Sequence, residues 1–422
     1  MRLYLVACAL LVPLAMGRAQ SVRPKDVRDI AKNGSSAIPR LAGLLKDPAK
    51  DVRVEVVKQL TAIGSQASLD PLIQATEDND PEVQARAADG LVNFYYPGYV
   101  QSGLAGLWKR ASSSVTGRFG DNDADVVDAY VVARPDVIAA LSKLATGGGS
   151  MDARAGAARA LGVLRGRAAL SGLVEAAHSK DSDVIYESLV AIQKIRDPSA
   201  GPQVEFRLRD LNQRVQLAAI ETVGLLLDKG ALPVLTDVLA RTGNAKVRRA
   251  ALTAIAMLPD EASRPLYAKY LHDKDDDMRA AAAEGFGRLR NPQDLPMLEQ
   301  AWNDEGRPSP RLSLAFALAM DGKMELAQLS PLRYLIDNLN SSAHNGEAEP
   351  LLVELARSEQ VRDKLYAALP AATKGEKIGL AGVLGRSGDQ KSVPDLQKLS
   401  ADKDPDVARE GLRSLRALQA RL

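Results

Sequence analysis

Asp80-Pro81-Glu82-Val83-Gln84-Ala85-Arg86-Ala87-Ala88 returns, with changes, as Ala245-Lys246-Val247-Arg248-Arg249-Ala250-Ala251-Leu252 and as Asp404-Pro405-Asp406-Val407. Val83, Val247 and Val407 are three of ten anchors. The full set is Val52, Val83, Ala153, Val184, Val215, Val247, Met278, Pro310, Glu376 and Val407. Successive anchors lie 31, 70, 31, 31, 32, 31, 32, 66 and 31 residues apart, so the two long gaps are about two periods each. A period of this size marks stacked supersecondary units.

Eight residues after each anchor stand Leu60, Leu91, Leu161, Ile192, Val223, Ile255, Phe286, Leu318, Leu384 and Leu415. All ten are apolar in a chain that is 46% apolar. Four after each anchor the residues are small or aliphatic, from Val56 and Ala87 to Leu380 and Gly411. Positions four and eight apart share one helix face. Each anchor therefore begins a helix with an apolar stripe and a narrow middle, which lets neighbouring helices approach closely.

A second series of helices precedes the anchors. Pro39, Pro71, Pro202, Pro233, Pro265, Pro296 and Pro394 open it, because proline's missing N–H costs nothing in a first turn. Pro331 and Pro350 read as openers in the same way. Polar turns such as Asp78-Asn79-Asp80-Pro81 and Asp402-Lys403-Asp404-Pro405 join the helices of a pair, and an Asp there can cap the second helix. No strand signal of comparable strength competes.

On these residues the chain resembles the HEAT repeat, in its short form also found in phycobilisome lyase-like proteins. The resemblance covers about four-fifths of the chain after its leader. It implies an all-α, right-handed α-solenoid (superhelix) of about ten antiparallel helix pairs, with the second helices lining the concave face. Repeat folds host many functions, so the fold alone does not choose one.

The segments follow from the register. Residues 1–19 read as a signal peptide, 20–93 as N-terminal repeats, and 94–135 as an insert rich in aromatics and glycine. Central repeats occupy 136–321, irregular repeats 322–375, and C-terminal repeats with a cap 376–422. The leader has Arg2, an apolar run from Leu3 to Met16, and Gly17-Arg18-Ala19 before a cut after Ala19. It implies a periplasmic or secreted protein. Cys8, the only cysteine, leaves with the leader, which excludes disulfides and thiolate chemistry from the mature chain. Losing Arg2 and Arg18 leaves 53 basic against 53 acidic residues, so no net field draws nucleic acid or anionic membrane. No later apolar run is long enough to span a membrane.

The insert holds Phe94, Tyr95, Tyr96, Tyr99, Trp108, Phe119 and Tyr130. Insertions in solenoids map to one face, often the binding face, and Tyr and Trp are enriched in binding hot spots. The first six are candidate partner-binding residues; rings also seal irregular gaps, and both readings stand. Asp121-Asn122-Asp123-Ala124-Asp125 resembles the start of a calcium loop. Val126 and Val132 stand where that loop needs Gly and Glu, so an acidic turn capping a helix at Val126 is the expectation, with Asp121, Asp123 and Asp125 only a weak metal candidate. Asn338 to Gly346 reads as an exposed loop.

Catalytic patterns are lacking. His178, His272 and His344 are far apart in sequence and read as surface residues near turns. The HEAT-like iron enzyme deoxyhypusine hydroxylase uses His-Glu pairs; here Ser179, Asp273 and Asn345 follow the histidines, so that role does not carry over. Gly147-Gly148-Gly149-Ser150 has no following Lys and reads as a turn. Arg53, Arg154, Arg248, Arg279 and Arg311, each one after an anchor, form a partial basic ladder. They are candidates for bonding turn carboxylates or for an anion-recognising concave groove. The expectation is a non-enzymatic protein-binding scaffold without cofactor. The alternative is an enzyme or enzyme-associated subunit related to HEAT-like lyases.

Overall fold

The computed structural model describes residues 22–100 and 126–422. Helix α1 (Pro24–Ala31) precedes eleven helix pairs among these residues. They are α2–α3 (Ile38–Gly43, Lys50–Ile63), α4–α5 (Leu69–Ala75, Pro81–Tyr95), α6–α7 (Pro135–Gly147, Met151–Val163) and α8–α9 (Leu170–Ala176, Ser182–Ile195). Next come α10–α11 (Gly201–Val204, Gln213–Leu225), α12–α13 (Leu232–Arg241, Ala245–Ala256), α14–α15 (Arg264–Tyr270, Asp276–Leu289) and α16–α17 (Leu295–Asp304, Pro308–Met320). The last are α18–α19 (Pro331–Asp337, Asn345–Leu355), α20–α21 (Glu359–Ala368, Lys374–Ser387) and α22–α23 (Val393–Ser400, Pro405–Gln419). No strand occurs among the described residues. The fold is the α-solenoid that the periodicity implied.

Every anchor is the third residue of its second helix. Capping explains the constancy in eight of the ten; α3 and α17 begin after Ala49 and Arg307, which make no side-chain cap. The Asp80 carboxylate accepts from the N–H groups of Glu82 (2.9 Å) and Val83 (3.4 Å). Asn244 does the same for Lys246 and Val247, and Asp404 for Asp406 and Val407. A cap of this kind fills orphan donors of the first turn and sets where the helix begins. Pro39, Pro202, Pro233, Pro265, Pro296 and Pro394 each take the second position of a first helix, and Pro71 the third.

The second helices stack in one unbroken row from α1 to α23, each on the next. Their apolar column is buried throughout, from Leu60 and Leu91 to Leu384 and Leu415. Close approach comes from glycines nine residues after an anchor, each facing the residue seven after the next anchor. A Cβ on Gly162 would lie 2.8 Å from the Ala191 Cα, and one on Gly287 2.6 Å from the Ala317 Cα. Only a bare backbone fits there.

Three local expectations are corrected. No helix starts at Val126; Val126–Asp128 run without regular structure because Val126 and Val127 are drawn into packing instead. Pro350 lies inside α19 rather than opening it. The stretch Asn338–Gly346 is more ordered than a loop: Asn338–Asn340 form a 3-10 turn that buries Leu339, and α19 begins at Asn345.

Candidate partner-binding face

The far end of the insert crosses the row of second helices as a short strap. Val127 donates its N–H to the carbonyl of Val163 at 2.9 Å. Val163 is the last residue of α7, where carbonyls lack partners within the helix. Val126 and Val127 are 7% and 3% exposed. Asp128 then accepts from the Arg413 Nε at 2.8 Å and from the Tyr130 hydroxyl at 2.8 Å.

Arg413 is on α23, eight second helices beyond α7 in the stack. A three-residue segment cannot touch both unless the row curves back on itself. These helix faces therefore look inward, and the strap lies on the concave side. Arg413 is six residues after its anchor. Arg159, six after Ala153, occupies the same column on α7 and pairs with Glu187 at 2.7 Å.

Partial burial works to raise the Asp128 carboxyl. Hydrogen bonds from Arg413 and Tyr130, with the field of Arg413 and Arg165, prevail and hold it below the ordinary carboxylate value. The Asp128 carboxylate in turn raises the Arg413 guanidinium. Beside the strap opens a cavity of about 340 Å³, lined among others by Arg165, Glu349, Arg386, Glu410 and Arg413. Arg386 is ion-paired to Glu349.

The near end of the insert is packed. Phe94 and Tyr95 meet edge to face, centroids 4.9 Å apart. The Tyr95 hydroxyl accepts from the Arg134 N–H at 3.0 Å, tying the start of the insert to its end. Tyr96 packs partly buried against the core. Tyr99 is buried, with its hydroxyl in the electrostatic reach of Arg159. Trp108, Phe119, Asp121, Asp123 and Asp125 lie outside the described residues.

The basic ladder sits at the turns between paired helices. Arg53 donates to the Asp47 carbonyl (2.9 Å) and to Asp78 (2.7 Å). Arg154 donates to the Gly148 carbonyl (2.8 Å), and Arg279 to the Asp273 carbonyl (2.9 Å) and Glu305 (2.7 Å). Arg311 donates to the Glu305 carbonyl (2.8 Å) and stacks on Trp302 at 4.2 Å. All four reach back six residues, and so does Gln84, to the Asp78 carbonyl. Arg248 is half-buried, and its neighbour Arg249 takes Asp275 instead, at 2.9 Å. These guanidiniums clamp the turn before their own helix.

His178 stacks on Phe206, centroids 4.2 Å apart, and His344 lies 3.5 Å from Glu347. Among the described residues no cluster of three His, Cys, Asp or Glu is placed to hold a metal ion. No described helix is long and apolar enough to cross a membrane.

Sequence reading missed Asp128 and Arg413 as a pair. Arg413, Arg416 and Arg421 read as a polar end cap. Arg421 does donate to the Gly388 carbonyl at 2.7 Å, but Arg413 and Arg416 reach Asp128 and Tyr130. A pair 285 residues apart leaves no periodic trace. The signal at hand was the register, which puts Arg413 in the column of Arg159.

A curved row of stacked helix pairs, with the strap on its concave side, is an α-solenoid. The model of HEAT repeats matches residues 17–127, 138–224 and 232–319, roughly two-thirds of the chain. The chain belongs to the HEAT-repeat family. No curated protein matches it. Among solved structures it is similar to the complex of CpcE and CpcF of phycocyanin lyase from Nostoc sp. PCC7120, at 19% identity over 64% of this chain and 94% of that one, TM-score 0.36. It is also similar to YibA of E. coli, at 17% identity over 69% and 95% of the two chains, TM-score 0.42. Importin beta matches at 13% identity over 91% of this chain and 57% of its own, TM-score 0.40.

Proposed function

We propose that this chain is a non-enzymatic scaffold of the bacterial cell envelope or exterior that holds a protein partner on the concave side of the solenoid, where the insert enters and leaves. The observation that carries this is the strap. Its backbone and side chains are bound by second helices from both halves of the array, so this face already holds one short stretch of polypeptide by main-chain and side-chain groups. The leader-like first 19 residues support the compartment, and the balanced charge favours a protein over a polyanion.

Crosslinking capture from an envelope fraction tests it. The intact protein is compared with a Val100→Glu/Val132→Glu variant; both residues are exposed at the ends of the insert. A partner identified by mass spectrometry with the intact protein and lost from the variant, at equal helicity by circular dichroism, is the expected result. Equal capture by both removes the insert from the site. A chromophore or metal retained through purification would overturn the non-enzymatic reading.

A further inference from the structure

We propose that the concave groove between the end of α7 and the inner faces of α21 and α23 is a receptor for a short acidic–aliphatic segment of the partner. Val126–Tyr130 is this chain's own copy of that segment, seated in the groove until the partner displaces it. The proposal rests on the scaffold reading above and adds the chemistry of what is bound.

What holds the strap is available to any peptide. One backbone N–H reaches the Val163 carbonyl, two short aliphatic side chains are covered, and one carboxylate meets a guanidinium. This is recognition by one main-chain group and a few side-chain groups. The charge around it is complementary. Arg165 and Arg413 act on Asp128, and Arg416 on Tyr130. Of the acids lining the cavity, Glu349 is paired with Arg386, and Glu410 meets Arg413 at 3.8 Å, farther than Asp128 at 2.8 Å. With Asp128 gone, Arg413 keeps only the longer contact to Glu410.

The hold is also of a kind that can be exchanged. Arg413 is 58% exposed in its pair with Asp128, and such pairs are weakened by screening and side-chain entropy. Two residues past Tyr130, Val132 is 85% exposed between the half-buried Val131 and Ala133. The cavity of about 340 Å³ beside it leaves room for side chains that the strap does not fill.

The probe is a fluorescein-labelled peptide, Val-Val-Asp-Ala-Tyr-Val-Val-Ala-Arg, copying residues 126–134, titrated into the full chain by anisotropy. Asp128→Ala releases the internal copy and is expected to tighten peptide binding about tenfold. Adding Arg413→Glu to that variant is expected to abolish binding. A peptide with Asn for its Asp should bind about tenfold more weakly. Should Arg413→Glu fail to fold, Arg413→Asp in the Asp128→Ala background, with a peptide carrying Lys for Asp, should restore binding. Binding no tighter to Asp128→Ala than to the unaltered chain, or indifferent to the peptide's Asp, overturns the proposal. Partner capture is read separately. Its failure with a normal peptide response sinks the scaffold reading alone, and its success with no peptide response sinks the groove alone.

Discussion

The repeat skips a beat twice, between Val83 and Ala153 and between Pro310 and Glu376, and the structure fills the two gaps in opposite ways. In the first, α5 stacks directly on α7. Where the described chain resumes, at Val126, it is the strap on the concave side. In the second, the pair α18–α19 takes its place in the row, with α19 packed on α17 and α21. It lacks the usual sequence marks because other contacts do their work. Glu376, a charged residue at an anchor position, is 1% exposed. It is satisfied by Arg333 at 2.5 Å, Asn340 at 3.2 Å and the Thr373 N–H at 2.9 Å. Equal spacing in sequence thus conceals one region that is part of the scaffold and one that is laid upon it.

From that contrast, damage to the second gap costs more than removal of residues 101–125 from the first. The largest effect is expected at Arg288. It is buried between Glu284 (3.2 Å) and Glu354 (2.8 Å), linking α15 to α19 across α17. Arg288→Ala removes the cation between the buried Glu284 and the part-buried Glu354 and should destabilise by about 3 kcal/mol in denaturant melts. Burial works to raise Glu354, but Arg288 outweighs it and holds it below the ordinary value. The pair therefore stabilises above the ordinary carboxylate range, and that contribution is lost as pH falls through the depressed value. A loss under 1 kcal/mol would mean that α19 is not integral to the row.

Asp321, where the second gap begins, should behave in the opposite sense. Burial, and then the nearby Asp294, push its carboxyl up to about 6. The folded state therefore binds more protons than the unfolded one between pH 4 and 6, and stability rises as the pH falls through that window. Asp321→Asn should add about 1 kcal/mol at pH 7, allowing for solvent screening, and flatten the rise. Melts of both forms across that pH range check it; an unchanged slope would refute it.

The smallest effect is expected from replacing residues 101–125 with a short Gly-Ser linker. Since α5 already meets α7, the midpoint should move by no more than about 1 kcal/mol. Collapse of the helical signal would place that stretch inside the row and erase the contrast.

Much of the fold was legible because capping and packing repeat. A cap at Asp80, Asn244 or Asp404 always puts the anchor at the third helical position, and the column from Leu60 to Leu415 is buried for the same reason each time. The ladder arginines were legible as residues with a common role, but their target, a carbonyl six residues back, was not. Val126 was misread because an Asp-rich run before a Val also looks like a cap. The tertiary pull of the concave side on Val126 and Val127 overrode that local signal.

What the sequence determined by itself is whatever recurs: the helix pairs, their length and the close approach of successive second helices. These depend on contacts within a repeat or to the next one, so the period writes them out. The tertiary structure alone decided that the two long gaps differ, and that Asp128 and Arg413 meet. Small rotations between neighbouring pairs add up along the row, and only their sum brings α23 back to the strap beside α7.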